Sequence, residues 1–353
     1  MKNKIITIVS TRPEIIRLSL IIKKLDEIYN KNHILIHTGQ NFTSELKDDI
    51  IKNLKLRAPD IQLNPDKKIG YSFACHCMCE MEKILSKFDP KSDKILILGD
   101  VNGGFYSAYV AKKMGFKIYH LEAGNRCYNS EVPEEINRIA IDTFTHLHLV
   151  YTQRSKENLI REGYSLENIY VVGNPIYEVI KNEKLKKVKK NNIITITLHR
   201  TENLTNLQRL KSILHQIAII SKKEKIYLSV HPKLESILNQ NDELKKIITK
   251  KNIILNKPFT FTKFIELEQN SKIVITDSGT VPEECAIFNT PCILVRNNTE
   301  RPELIEVNQT IISGTDKIID AYQVINKLKF ESIPLDYSKR TSEIVIKILI
   351  GEL

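Results

Sequence analysis

Apolar, β-branched runs of three to six residues alternate along almost the whole chain with segments whose apolar residues recur at helical spacing. The first half carries such runs at 5–9, 34–37, 95–98, 118–121, 147–150 and 169–172; the second carries them at 193–198, 226–230, 253–255, 273–276 and 292–295. A run that is apolar at every position belongs to a strand covered on both faces, and strands separated by helices join into parallel sheets. The pattern predicts an α/β chain with two doubly wound domains. Between them lies a break near 175–192, rich in lysine (Lys181, Lys184, Lys186, Lys187, Lys189 and Lys190). The last segment, 340–350, reads as an amphipathic helix.

The chain's 353 residues suit two cores better than one. With 42% hydrophobic and 27% charged residues the composition is that of a globular protein. No apolar run approaches the ~20 residues of a membrane span. The N-terminus, MKNKIITIVS, reads as a first strand rather than a signal peptide, so a cytoplasmic protein without a membrane partner is expected. The 53 Lys+Arg outnumber 42 Asp+Glu, giving +11. These lysines are scattered over helix faces, and the one dense run lacks interleaved aromatics, which favours a solvated linker over a nucleic-acid site. Of six cysteines, Cys75, Cys77 and Cys79 flank His76 inside the helix predicted at 69–85. That spacing spreads the side chains around the axis, so no metal is expected. Cys127, Cys285 and Cys292 stand apart as reduced thiols.

Candidate chemistry sits where strands end, the edge at which doubly wound sheets bind ligands. The run at 118–121 leads into Glu122, Ala123 and Gly124, and ten residues later Pro133 precedes Glu134 and Glu135 in the first turn of a helix. The run at 95–98 leads into Gly99 and Asp100. Asp100 is either a carboxylate on the same edge as Glu122 or the N-cap of the next helix. If Asp100, Glu122 and Glu134 converge, repulsion and desolvation should keep one protonated near neutral pH. The first strand ends in Ser10-Thr11-Arg12-Pro13-Glu14, with Arg17 one turn on; without a G-x-G-x-x-G, these arginines grip a phosphate or belong to a Pro-started helix. In the second half His199 and His231 end two strands. Asp277-Ser278-Gly279-Thr280 precedes Glu283 and Glu284, reading as a phosphate cradle with acids for ribose hydroxyls, or as a capped turn. Arg301 follows the next strand.

The ordered set STRPEIIR (10–17), HTGQN (37–41), GD (99–100), EAGNR (122–126), PEEINR (133–138), HRTEN (199–203), DSGT (277–280) with Glu283-Glu284, and TERPE (299–303) closely resembles the non-hydrolysing UDP-N-acetylglucosamine 2-epimerase family. The resemblance runs from residue 8 to about 305. It implies a GT-B-like fold of two Rossmann-like domains facing a central cleft. The first would span 1–174, with the C-terminal helix 338–353 returning to it, and the second 175–337. It further implies a homodimer that needs neither metal nor cofactor and acts on a UDP-N-acetyl-sugar. Asp100, Glu122, Glu134 and His199 fall where the family keeps catalytic or sugar-contacting groups. Arg12, Arg17, Phe264, Ser278, Gly279, Thr280, Glu284 and Arg301 fall where it holds UDP. Ser10, Arg17, Val101, Thr201 and Thr280 depart from the family's usual Gly, Lys, Thr, Arg and Gly.

Within the family, EAGNRC, GD-x-N and DSGT look like the subgroup that converts UDP-2-acetamido-2,6-dideoxy-L-talose to the L-fucosamine sugar for capsule and O-antigen synthesis. The alternative is the UDP-GlcNAc/UDP-ManNAc enzyme. A GT-B glycosyltransferase would share the UDP cradle, but three acids would have no evident purpose in it. A hydrolysing epimerase would release free sugar and UDP, and a sugar-nucleotide-binding regulator would survive loss of the acids.

Overall fold

The computed structural model describes residues 3–40, 51–64, 69–183, 185, 191–331, 337 and 340–353. Lys184, Lys186, Lys187, Lys189 and Lys190 of the linker run lie outside the described residues. The chain divides into two compact units, Met1–Asn182 with Pro334–Leu353, and Glu183–Ile333.

In the first unit β1 (Ile5–Val9), β2 (His33–His37), β3 (Ile61–Gln62), β4 (Lys94–Leu98), β5 (Lys117–Leu121), β6 (Leu147–Val150) and β7 (Ile169–Val171) form one parallel sheet in the order 3-2-1-4-5-6-7. The continuous apolar runs have the expected cause: all five residues of β1 are buried, because helices cover both faces. In the second unit β8 (Ile193–Leu198), β9 (Lys225–Val230), β10 (Ile253–Asn256), β11 (Ile273–Thr276), β12 (Cys292–Leu294) and β13 (Thr310–Ile312) repeat the scheme in the order 10-9-8-11-12-13. Strand order reverses between β1 and β4 and again between β8 and β11. Connections leave these neighbours toward opposite edges, so a crevice opens at the carboxyl ends of each pair.

The two units divide at 182/183, inside the lysine-rich break at 175–192. Helix Pro175–Asn182 buries Ile176, Val179 and Ile180 at helical spacing and packs on helices Arg12–Tyr29 and Thr341–Ile350 of the first unit. Its Glu178 carboxylate accepts hydrogen bonds from the Ser342 amide (2.7 Å) and hydroxyl (3.1 Å). Lys94 Nζ donates to the Leu349 carbonyl at 2.5 Å, so the chain's last helix is tied to both the sheet and its cover. In helix Gly70–Leu85, Cys77 lies in the core beside Phe73 and Met81, while Cys75 and Cys79 are exposed. Among the described residues no His/Cys/Asp/Glu group is arranged to hold a metal, and no helix is long and apolar enough to cross a membrane.

Candidate active site

The first unit gathers its chemistry at the ends of β1, β4 and β5. Glu122 follows β5 directly and has φ +80°, a conformation that costs a non-glycine residue about 1–3 kcal/mol and persists only where the surroundings over-determine it. Those surroundings are specific. Arg17 Nη1 donates to Glu122 Oε2 at 2.7 Å, Tyr151 Oη to the same oxygen at 3.3 Å, and Asn125 Nδ2 to Oε1 at 3.4 Å. The Arg17 guanidinium also lies 5.9 Å from the centre of the Tyr151 ring. A side chain at Gly99 would stand 3.6 Å from Glu122 Oε2, which places this carboxylate directly over the backbone leading to Asp100.

Asp100 is held by a second arginine. Arg138 donates to its Oδ2 through Nη2 (2.5 Å) and Nε (3.1 Å), and Asn137 Nδ2 holds the Asp100 carbonyl at 2.8 Å. Arg138 is in turn fixed by Glu135 at 2.7 Å, whose other oxygen accepts from the amides of Cys127 and Tyr128. The N-cap of helix Asn102–Lys113 is Val101, so Asp100 is not that helix's cap and its side chain, 23% exposed, serves the edge. Glu134 begins helix Pro133–Phe144 one turn before Arg138, on the face that carries Asn137 and Arg138 toward Asp100, and is half-buried. Arg12, also half-buried, opens helix Arg12–Tyr29.

The acid that burial holds protonated is Glu14, which the strand-end pattern did not single out. It closes a capping box: Oε2 accepts from the Thr11 amide (2.6 Å), the Thr11 hydroxyl (2.8 Å) and the Ser10 amide (3.0 Å). Burial pushes its carboxyl up to about 8, outweighing those hydrogen bonds, and the Asp100 charge adds to the rise. The T-x-x-E spacing of Thr11 and Glu14 was the available signal. Folding raises this pKa, so stability from the site is complete below the ordinary value of 4.5 and is lost as pH rises through about 8. We expect unfolding midpoints to decline between pH 5 and 8, and Glu14→Gln to flatten that decline; denaturation at stepped pH measures it.

The second unit organises its edge around Asp277, which follows β11 and is fully buried. Its carboxylate accepts from the amides of His199 (3.0 Å) and Arg200 (3.0 Å) and from Asn203 Nδ2 (3.1 Å), and lies 3.2 Å from His199 Nδ1. Asp277 thereby shapes the turn leaving β8 and aims the His199 ring, whose side chain is 40% exposed, toward solvent. The His231 ring lies 6.5 Å from it. Burial holds His231 below the usual histidine range, and the neighbouring His199 acts in the same direction.

Ser278, Gly279 and Thr280 form the turn before helix Val281–Ile287. Ser278 Oγ meets Thr280 Oγ1 at 3.2 Å, and a side chain at Gly279 would come within 2.3 Å of Glu300 Oε1. Arg296 Nη1 fixes Glu300 there at 3.1 Å. Phe264 packs half-buried on Val274, Val281, Cys285 and Cys292. Arg301 forms a buried ion pair with Glu283. Glu283, read with Glu284 as a ribose pair, is thus ion-paired with Arg301.

Beside Glu284 lies Glu268, fully buried in helix Phe261–Asn270. The group that meets its carboxyl is another acid, Glu284, rather than a cation or a backbone amide. Burial, and the Glu284 carboxylate next to it, raise its pKa well above the ordinary value. An apolar residue of similar volume removes that desolvation cost, so Glu268→Leu is expected to stabilise the protein by about 1–3 kcal/mol. The gain should be larger at pH 8 than at pH 5, because a raised carboxyl pKa destabilises increasingly as pH rises. Thermal unfolding at both pH values checks this.

Comparison with known proteins agrees with this geometry. A family model for UDP-N-acetylglucosamine 2-epimerase matches residues 23–349. The UDP-N-acetylglucosamine 2-epimerase of Methanococcus maripaludis is 36% identical over 328 residues, covering 89% of this chain and 88% of that protein. That of Methanocaldococcus jannaschii is 35% identical over 364 residues, 98% of each. A crystal structure of the M. jannaschii UDP-GlcNAc 2-epimerase in complex with UDP-GlcNAc and UDP superposes with a TM-score of 0.88 at 33% identity, covering 99% of both chains. With its two GT-B-like parallel sheets and its acids at the strand ends, the chain belongs to the UDP-N-acetylglucosamine 2-epimerase family and is a UDP-sugar 2-epimerase, an isomerase.

Proposed function

We propose that the enzyme inverts C2 of a UDP-N-acetylated hexosamine, interconverting UDP-GlcNAc and UDP-ManNAc, by eliminating UDP and adding it back. The observation that carries this reading is the pair of carboxylates at adjacent strand ends, Asp100 and Glu122, each fixed by its own arginine and neighboured by the protonated Glu14. The C2 hydrogen is not beside a carbonyl, so its removal needs a leaving group at C1. One carboxylate takes the proton as the C1–O bond to UDP breaks, leaving a C1=C2 double bond. A proton then returns to C2 from the opposite face while a phosphate oxygen re-forms the bond to C1. Asp100, Glu122 and Glu134 handle this proton. Ser278, Gly279 and Thr280 amides, with Arg12, Arg17 and Arg301, meet the diphosphate charge. Phe264 and Glu284 hold uracil and ribose, and His199 contacts phosphate and sugar. On this reading the enzyme uses no metal or cofactor, works in the cytoplasm and assembles as a homodimer from the two-domain chain.

The relatives named above support UDP-GlcNAc as substrate. A second reading, conversion of UDP-2-acetamido-2,6-dideoxy-L-talose to the L-fucosamine sugar for capsule or O-antigen, draws on the EAGNRC stretch. Of its Asn125 and Cys127, which favour that reading, Asn125 is buried and hydrogen-bonded to both Glu122 and Ser155, so this stretch touches the proton-handling acid. Incubating the enzyme with each UDP-sugar and following products by proton and phosphorus NMR separates the two. Conversion of UDP-GlcNAc to an equilibrium mixture supports the first, and turnover of the 6-deoxy sugar alone supports the second. Accumulation of free sugar and UDP would contradict both.

A further inference from the structure

Beneath the first unit's edge lies a buried charge cluster that the chemistry above does not use. His120, on β5, is fully buried with its Nδ1 2.7 Å from Asp142 Oδ1 and its Nε2 2.9 Å from the Gly99 carbonyl. Asp142, also fully buried, uses its second oxygen to accept from the Gly124 amide at 3.1 Å and from Arg126 Nη2 at 2.8 Å. Arg126 continues to Glu162 through two hydrogen bonds of 2.6 and 2.7 Å. The cluster therefore touches the residue before Asp100 on one side, and Gly124 and Arg126, just beyond Glu122, on the other.

We propose that the His120–Asp142 pair is the positioning device for both acids: the His120 ring bridges the Gly99 carbonyl and the Asp142 carboxylate, which holds Gly124 and Arg126 behind Glu122. This rests on the reading of Asp100 and Glu122 as proton-handling groups.

The first argument is placement. The two ring nitrogens of His120 face a carboxylate and a backbone carbonyl in a site closed to water, so the ring spans the gap between them. Burial alone would raise the Asp142 carboxyl, but its partners His120 and Arg126 outweigh it and hold it down to about 2. His148, which faces the same aspartate, donates Nε2–H to its main-chain carbonyl at 3.0 Å, and burial keeps its ring below the usual range.

The second argument is backbone conformation. Gly99 (φ +77°) precedes Asp100, and Gly124 (φ +72°) follows the left-handed Glu122 (φ +80°) by two residues. Glycine has many conformations open to it, so these two positions hold their neighbours in place only if something external fixes them. The cluster bonds both glycines through one carboxylate and one ring.

The test uses the full-length enzyme, with circular dichroism and UDP binding confirming that each variant is folded. A fall in UDP affinity as large as the fall in kcat overturns the proposal, because it reports general damage rather than displaced acids. In kinetics, His120→Gln and Asp142→Asn should each lower kcat by ~10- to 100-fold, with KM and UDP affinity within about 2-fold, because the reacting groups are displaced rather than removed. His148→Gln, which breaks no tie to Gly99 or Gly124, should keep kcat within about 2-fold. Retention of full kcat in both His120→Gln and Asp142→Asn also overturns it. If Asp100→Asn and Glu122→Gln prove fully active, the functional reading fails instead, while the fall in kcat of His120→Gln and Asp142→Asn still judges the tie.

Discussion

Glu122→Gln should lower kcat by roughly 10²- to 10⁴-fold while UDP binding stays within about 2-fold. Gln preserves the shape and the left-handed backbone of Glu122, so the loss reports the missing base rather than a collapsed turn. The substitution has a second consequence. Arg17 is 4% exposed and would lose a charged partner 2.7 Å away, so the unfolding midpoint should fall as well, which denaturation of the two proteins measures.

The largest effect on stability is expected at Gly124. A β-carbon there would stand 2.3 Å from the Ser155 carbonyl oxygen, 2.9 Å from Leu159 Cγ and 3.0 Å from the Ser155 carbonyl carbon, at φ +72°. The first obstacle is backbone and cannot rotate aside. The left-handed conformation and the overpacking each cost about 1–3 kcal/mol, so Gly124→Ala should destabilise by about 3–5 kcal/mol. Gly163 is the control: it has φ +88° but nothing within 4 Å of where a methyl would stand, so Gly163→Ala should cost only about 1–2 kcal/mol. Equal shifts in denaturation midpoint for the two would show that the contact with Ser155 relaxes.

Both sheets were legible in the sequence because strands covered on two faces are apolar at every position, and the acids at their ends stood out against that background. The short strands β3 and β13 were not, since two or three residues cannot establish a pattern. The candidate acids were visible, but the groups that hold them were not. Arg17 and Glu122 are 105 positions apart, and Arg138 and Asp100 are 38 apart, so neither pairing has a local signature. Glu268 carries no local signature of burial, and only tertiary packing makes it a buried acid. Asp142 sits in the last turns of a helix with nothing nearby to mark it as the partner of His120. Asp277 was read as part of a phosphate cradle, whereas its carboxylate is spent on the turn that carries His199.

The most direct test of the central claim, C2 inversion by elimination and re-addition of UDP, is incubation with UDP-GlcNAc, and in parallel with the 6-deoxy UDP-sugar, in deuterated water followed by NMR. The account predicts that deuterium enters C2 of a sugar still bound to UDP, in both epimers, and that Glu122→Gln suppresses the exchange. An unchanged C2–H in every UDP-sugar offered would contradict it.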